Sequence, residues 1–214
     1  MVRYKIDGIT IRSENAAKPC NQKSQRVDSY LCTLSAETLL DFGCGKLRYS
    51  DTLVKISPRV TFLDSLVQIN REQLIRGERT TVANYIRQNY PNCHAVSYED
   101  VKQHALKYDL ITCTNVLSAI PCEKILRDVI SHIFRLLKSN GMAVFVNQHR
   151  SSYFKRYESG SRRLFGHIHK GARGYSYYGI VGQNEIEELL KNTGFRVLRS
   201  WRAGESTFTE ATHA

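Results

Sequence analysis

The stretch that decides the fold is TLLDFGCGKL, residues Thr38 to Leu47. Apolar residues lead into Asp41, and Gly43, Cys44 and Gly45 then follow in succession. This is how a buried strand ends when the chain must turn at once and a ligand must lie against bare backbone. Glycine tolerates positive φ and removes the Cβ that would block close approach. A helix starting after such a turn presents unpaired N–H groups to a polar or anionic ligand. Leu47 to Ile56 fits that helix, with Leu53 and Ile56 on one face and Pro58 ending it.

Working outward, Arg59 to Leu63 is β-branched and aromatic and stops at Asp64. An acid ending the second strand, roughly 20 positions after a glycine turn, is where a βαβ unit holds a nucleoside ribose. Residues 66–90 read as one or two helices around Gly77, and Cys93 to Ser97 as a short strand before Glu99 and Asp100. Val101 to Lys107 reads as a weak helix and Tyr108 to Thr114 as a strand buried on both faces. Cys122 to Leu137 is an amphipathic helix with Ile125, Val129, Ile133 and Leu137 on one face. Asn140-Gly141 is expected to cap it before a strand from Met142 to Val146. Gln183 to Lys191 reads as a helix stopped by Gly194, and Phe195 to Trp201 as a sixth strand, with an edge strand around Phe208. Strands alternating with helices predict an α/β fold with a mostly parallel sheet of six to seven strands. Residues 1–35 are expected to form an N-terminal arm that covers one edge, and 36–214 the main domain.

The chain has 214 residues, 42% of them hydrophobic, and a formal charge of +11. No apolar run approaches the ~18 residues needed to span a bilayer. The first fifteen residues lack a signal-type apolar core, so a cytoplasmic protein is expected, with no membrane association. Six cysteines include no CxxC pair, which points away from zinc and, with that compartment, from disulfides. More than half of the charge excess sits between His149 and Arg173. Arg150, Lys155, Arg156, Arg162, Arg163, Lys170 and Arg173 face one acid there, Glu158. Tyr153, Phe154, Tyr157 and Phe165 are interleaved, and Tyr175, Tyr177 and Tyr178 follow. Cations for phosphates and aromatics for bases make nucleic acid, tRNA or a nucleotide-like anion one expected partner of this basic aromatic insert, about 149–178. A solvated loop whose aromatics pack on the core is the other reading.

In these residues the chain resembles the class I S-adenosylmethionine-dependent methyltransferases over roughly 36–200. Asp41 to Leu47 is similar to the family's first motif, a strand ending D-x-G-C-G-x-G, except that Leu47 replaces the last glycine. YDLITCTNVLSAIP, residues 108–121, looks like its fourth strand and following loop, and Leu136 to Gly141 like its turn before strand five. The resemblance implies a Rossmann-like three-layer α/β/α sandwich and S-adenosyl-L-methionine as cofactor. It places Asp41, Phe42, Gly43, Cys44 and Gly45 around the methionine end, and Asp64 with Ser65 at the ribose. Asp100 with Val101 would meet the adenine, and Asn115 and Val116 would line the pocket by the reactive methyl. Leu47 is a departure that would narrow the approach of helix and strand.

The implied reaction is methyl transfer (EC 2.1.1.-) to an unidentified acceptor, either a small molecule or nucleic acid. A non-catalytic nucleic-acid or partner-binding module that kept the fold is the alternative. No catalytic base stands out. His149 follows the fifth strand, and Cys122 follows Pro121 at a helix start, where proline is expected for structural reasons. Thr114-Asn115-Val116-Leu117 lacks the paired prolines that amino methylation of adenine uses in this family.

Overall fold

A computed structural model describes residues 3–101, 106–149 and 152–214. The chain opens with a hairpin, β1 (Tyr4–Ile6) and β2 (Ile9–Ile11), turned by Asp7 and Gly8 at φ 49° and 77°. Two positive φ angles in a two-residue loop match the twist of paired strands. After α1 (Gln25–Leu31) come β3 (Thr38–Phe42), α2 (Ser50–Ile56) and β4 (Arg59–Asp64). The second βα turn is more elaborate than its sequence suggests. The expected helical run 66–90 is α3 (Leu66–Asn70), a hairpin of β5 (Gln73–Ile75) and β6 (Glu78–Thr80), and α4 (Val82–Asn89). Arg76 and Gly77 both take positive φ at the hairpin tip, and an arginine gives no turn signal.

Next come β7 (His94–Ser97), α5 (Tyr98–Val101), β8 (Tyr108–Thr114) and α6 (Glu123–Leu136). The weak helix expected over 101–107 falls largely on residues outside the described ones. Helix α6 buries Leu126, Val129, Ile130, Ile133 and Leu136, each stabilising by about 1.5–3 kcal/mol relative to exposure. No glycine cap follows it: β9 runs directly from Leu137 to Gln148. Gly141 serves that strand instead. A Cβ there would stand 2.9 Å from Leu137 Cδ1 and from the Tyr108 carbonyl oxygen.

In the basic insert a 3-10 turn, Ser152–Tyr157, precedes three strands, β10 (Ser161–Arg163), β11 (Gly166–Gly171) and β12 (Gly174–Gly179), in antiparallel array. The chain ends with α7 (Gln183–Lys191), β13 (Phe195–Ala203) and β14 (Ser206–His213).

Seven strands form the main sheet in the order β13-β14-β9-β8-β3-β4-β7. Neighbours from β9 to β7 are parallel, and β14 runs antiparallel to β9 and β13. The strand around Phe208 is therefore interior, and β13 forms the edge. Leu39, Val60, Phe62, Leu110 and Val144 pack on one face with α1, α2 and α4. Leu40, Ile111, Ala143 and Phe145 pack on the other with α6 and α7. This alternation is the period-two pattern of strands covered on both faces. A second sheet, β1-β2-β12-β11-β10, joins the N-terminal hairpin to the insert through a parallel pairing of Ile11 with Tyr175. Among the described residues, no helix is long and apolar enough to cross a membrane.

Candidate active site

Strand β3 carries Asp41 to the carboxyl end of the sheet, and the turn after it is held by backbone bonds. Gly43 and Cys44 amides both donate to the Leu63 carbonyl, at 2.7 and 2.9 Å. The Gly45 amide donates to Asp64 Oδ2 at 2.9 Å, and the Ser65 amide to Asp64 Oδ1 at 2.7 Å. Gln68 Nε2 donates to the Gly45 carbonyl at 2.6 Å. One acid at the end of β4 thus fixes both the glycine turn and the start of α3. Gly43, Gly45 and Leu47 all have positive φ, at 83°, 57° and 58°. The expected immediate helix is delayed to Ser50, because residues 44–49 are spent on this turn. Leu47 keeps the left-handed backbone its glycine counterpart would adopt, at about 1–2 kcal/mol of strain. Its side chain is fully buried in the core with Val27, Leu39 and Leu53.

Both acids are buried. Burial pushes the Asp41 carboxyl up to about 7, against the hydrogen bond from Thr112 Oγ1 (3.0 Å) and with the charge of Asp64 adding to the rise. Burial also raises Asp64, opposed by its bonds from Ser65 and Gly45. The Cys44 thiol is raised by burial and then by both carboxylates, so it stays protonated.

A cavity of about 1050 Å³, counted with its open mouth, gathers Asp41, Gly43, Cys44, Gly45, Asp64, Asn115 and Val116. Asn115 takes φ 57° just past β8, its amide donating to the Val146 carbonyl, and its Oδ1 is buried with no partner among the described residues. The other four expected residues lie outside the cavity lining. Phe42 is core, 5.9 Å ring to ring from Tyr98, and Val101 is core as well. Ser65 caps α3 by accepting from the Gln68 amide. Asp100 is exposed and accepts from Ser97 Oγ at 2.6 Å.

The opposite wall was not visible in the motif. Glu14, Ala17 and Lys18 of the N-terminal arm line the cavity. A Cβ on Gly45 would meet Ala17 Cβ at 3.4 Å, so arm and turn are in close register. The arm reaches over the turn with residues 13–18, whereas further along it Lys23 pairs with Asp28 and Arg26 lies by Gly204. Gln148, Phe154, Tyr177 and Tyr178 complete this wall. Tyr178 stacks on Tyr157 with centroids 4.0 Å apart and planes at 12°. The Tyr177 hydroxyl donates to the Arg163 carbonyl and accepts from the Phe165 amide, both at 3.1 Å. The interleaved aromatics were the one sequence signal of this wall.

His149 and Cys122 do not line the cavity. Cys122 lies in a separate groove with Arg3, Tyr4 and Arg163. Of the basic residues, Arg150 is outside the described ones, and Lys155, Arg162 and Arg163 are exposed. Among the described residues no group of three or more His, Cys, Asp or Glu is placed to hold a metal, and all six cysteines are free.

A family model described as "Methyltransferase domain" matches residues 13–200. The chain is 44% identical over 210 residues to the uncharacterized protein YmfD of Escherichia coli (strain K12), covering 97% of this chain and 95% of that one. Its fold is similar to an O-methyltransferase family protein from Burkholderia thailandensis, with a TM-score of 0.64 at 14% identity. That match covers 89% of this chain and 56% of the other, so the chain spans little more than half of that protein's length. It is also similar to the N-methyltransferase NodS from Bradyrhizobium japonicum WM9, solved with S-adenosyl-l-homocysteine, at TM-score 0.60 and 13% identity over 88% and 86% of the two chains. At these identities the two structures speak to the fold.

Proposed function

We propose that the chain, which belongs to the methyltransferase-domain family, moves a methyl group from S-adenosylmethionine to a small-molecule or nucleic-acid acceptor. The observation that carries this reading is one cavity holding the bare Gly43–Gly45 backbone, two buried acids and the unpartnered Asn115 Oδ1. Each matches a different part of a charged nucleoside. Bare backbone suits the methionine end, and Asp41 suits its ammonium. Asp64 accepts one amide on each oxygen, and a carboxylate has further lone pairs for ribose hydroxyls. Asp100 and Val101, in α5 beyond β7, are the proposed adenine edge. Val116 and Asn115 stand at the reacting end. The sulfonium supplies an electrophilic methyl, which passes to the acceptor in line as its C–S bond breaks. The protein's share is alignment and exclusion of water by the arm and the aromatic wall.

Calorimetry with S-adenosylhomocysteine tests this. Binding in the micromolar to millimolar range usual for enzyme ligands is expected. Asp64→Ala should remove it, while Asp7→Ala in the β1–β2 turn should not. Equal effects of the two changes would sink the ribose assignment. No binding by the wild type would favour a non-catalytic module that retains the fold.

A further inference from the structure

We propose that the methyl acceptor is a small planar anion: an aromatic ring bearing a carboxylate or phosphate, lying against Phe154 and Tyr178, with its anionic group on Arg48. This rests on the methyl-transfer reading above and names the substrate class of the same site.

The cavity has a cationic corner tied to its aromatic wall: Lys18 feels Arg48 and Arg156, and Arg156 donates to the hydroxyl of Tyr157, on which Tyr178 stacks. Arg48 and Lys18 line it together with Gln148, Phe154 and Tyr178. Arg48 is half-buried, its guanidinium 5.1 Å from the Tyr49 ring. Its Nε is buried with no partner, and it makes no ion pair among the described residues. Burial works against the Arg48 charge. The charge on Lys18 is disfavoured by burial and then by Arg48 and Arg156, with Glu205 opposing. A guanidinium held in such a place is favoured by an arriving anion, and its planar fork matches carboxylate and phosphate.

Lys46 also lines the cavity and feels Arg71 and Arg173, so the cofactor's single carboxylate has a cation other than Arg48 to meet. The two cationic groups thus have different neighbours. Lys46 neighbours Arg71, whose guanidinium in turn feels Asp64, the proposed ribose acid. The one beside Gln148 and Phe154 is where an acceptor would enter.

The aromatic wall sets shape and size. Tyr178 is held by its stack on Tyr157, and Phe154 meets both rings edge-on at 6.2 and 5.9 Å. Tyr177 is 1% exposed. A Cβ on Gly179 would stand 2.9 Å from its hydroxyl, so Gly179 packs directly against Tyr177. A flat ring fits such a surface, and the anion fixes which edge points inward. A nucleic-acid strand is less favoured, because Arg162, Arg163 and Lys170 are exposed on β10 and β11 and none of them lines the cavity.

The test is calorimetry on the full chain saturated with S-adenosylhomocysteine, using benzoate, phenyl phosphate, benzamide and a short single-stranded RNA. One of the two anions should bind about ten-fold or more tighter than neutral benzamide, as expected for a charged hydrogen bond. Which anion wins identifies carboxylate or phosphate. Arg48→Gln should remove the preference and leave affinity for S-adenosylhomocysteine within about three-fold. Equal binding of benzamide and both anions overturns the proposal. So does RNA binding tighter than either anion, or loss of S-adenosylhomocysteine binding in Arg48→Gln, which would give Arg48 to the cofactor. The wild-type comparison stands without the variant if Arg48→Gln does not fold. Failure of the wild type to bind S-adenosylhomocysteine would overturn the methyltransferase reading instead, and the anion-to-benzamide ratio of the ligand-free chain would still test the cationic corner.

Discussion

The two walls of the cavity are built on opposite principles. The floor, Asp41 to Asp64, is made of backbone: amides of Gly43, Cys44 and Gly45 are tied to Leu63 and Asp64. The roof, Glu14 to Lys18 with Phe154 and Tyr177–Gly179, presents side chains, with Tyr178 stacked on Tyr157 and Phe154 edge-on to both. Backbone geometry tolerates almost any neighbouring side chain but no change of φ. A side-chain wall is the reverse, since each ring substituted alters shape and charge. A fixed floor for a shared ligand and an adjustable roof for a particular one follow from this contrast.

The comparison breaks most sharply at Gly45. Gly45→Val needs φ 57° in a β-branched residue, with its Cβ in contact with Ala17 at 3.4 Å. We expect affinity for S-adenosylhomocysteine to fall about a hundred-fold or more, given a few kcal/mol of backbone strain. Normal binding by calorimetry would show that the floor is not a backbone site. Leu47→Gly comes next. It removes a fully buried side chain, at about 2–5 kcal/mol, and relieves about 1–2 kcal/mol of left-handed strain. A net loss of about 2 kcal/mol in urea unfolding is expected, with S-adenosylhomocysteine affinity unchanged because the side chain faces the core. An affinity gain would mean that Leu47 does narrow the site.

Asp41 sharpens the electrostatics of the floor. Its folded carboxyl is raised to about 7 from 3.8, so the native state holds the extra proton between those values. Stability from this group is full below about 4 and is lost as pH rises toward 7. Asp41→Asn should therefore gain on the wild type by about 4 kcal/mol between pH 4 and 8, read as the difference of two urea curves. A constant difference would refute the buried-acid account. The smallest effect is expected in the roof. Tyr177→Phe leaves the Phe165 amide and Arg163 carbonyl without their hydroxyl partner, costing about 1–2 kcal/mol. Affinity for S-adenosylhomocysteine should not move, and if it does, the roof takes part in cofactor binding.

The same contrast explains what could be read from residues alone. Asp41, Gly43, Gly45 and Asp64 announce themselves because φ and strand-end chemistry constrain residue type locally. Helix α6 does so through periodic burial. The arm carries no such mark, since residues 13–18 are small or polar and are placed by distant partners. Arg12 N donates to the Tyr175 carbonyl, and Arg71 reaches the Glu14 carbonyl. Such bonds leave no signature in side-chain type. The hairpin at 73–80 hides behind Arg76, and β14 reads as an edge because strand order is not encoded in a strand's own pattern. Of the anticipated site, Phe42, Ser65, Asp100 and Val101 support or flank the cavity without lining it, since neighbours in sequence alternate between faces.

Asn15 Nδ2 donates to the Arg173 carbonyl across 158 positions. During synthesis, then, the glycine turn and Asp64 are made long before Tyr177 to Gly179, the last part of their cover. A nascent chain halted before Gly174 would lack that part of the roof, and β2 would lack its β12 neighbour. Late closure of this kind makes the enzyme's competence an event of the last part of translation, and the N-terminal hairpin the piece that must wait longest for its partner.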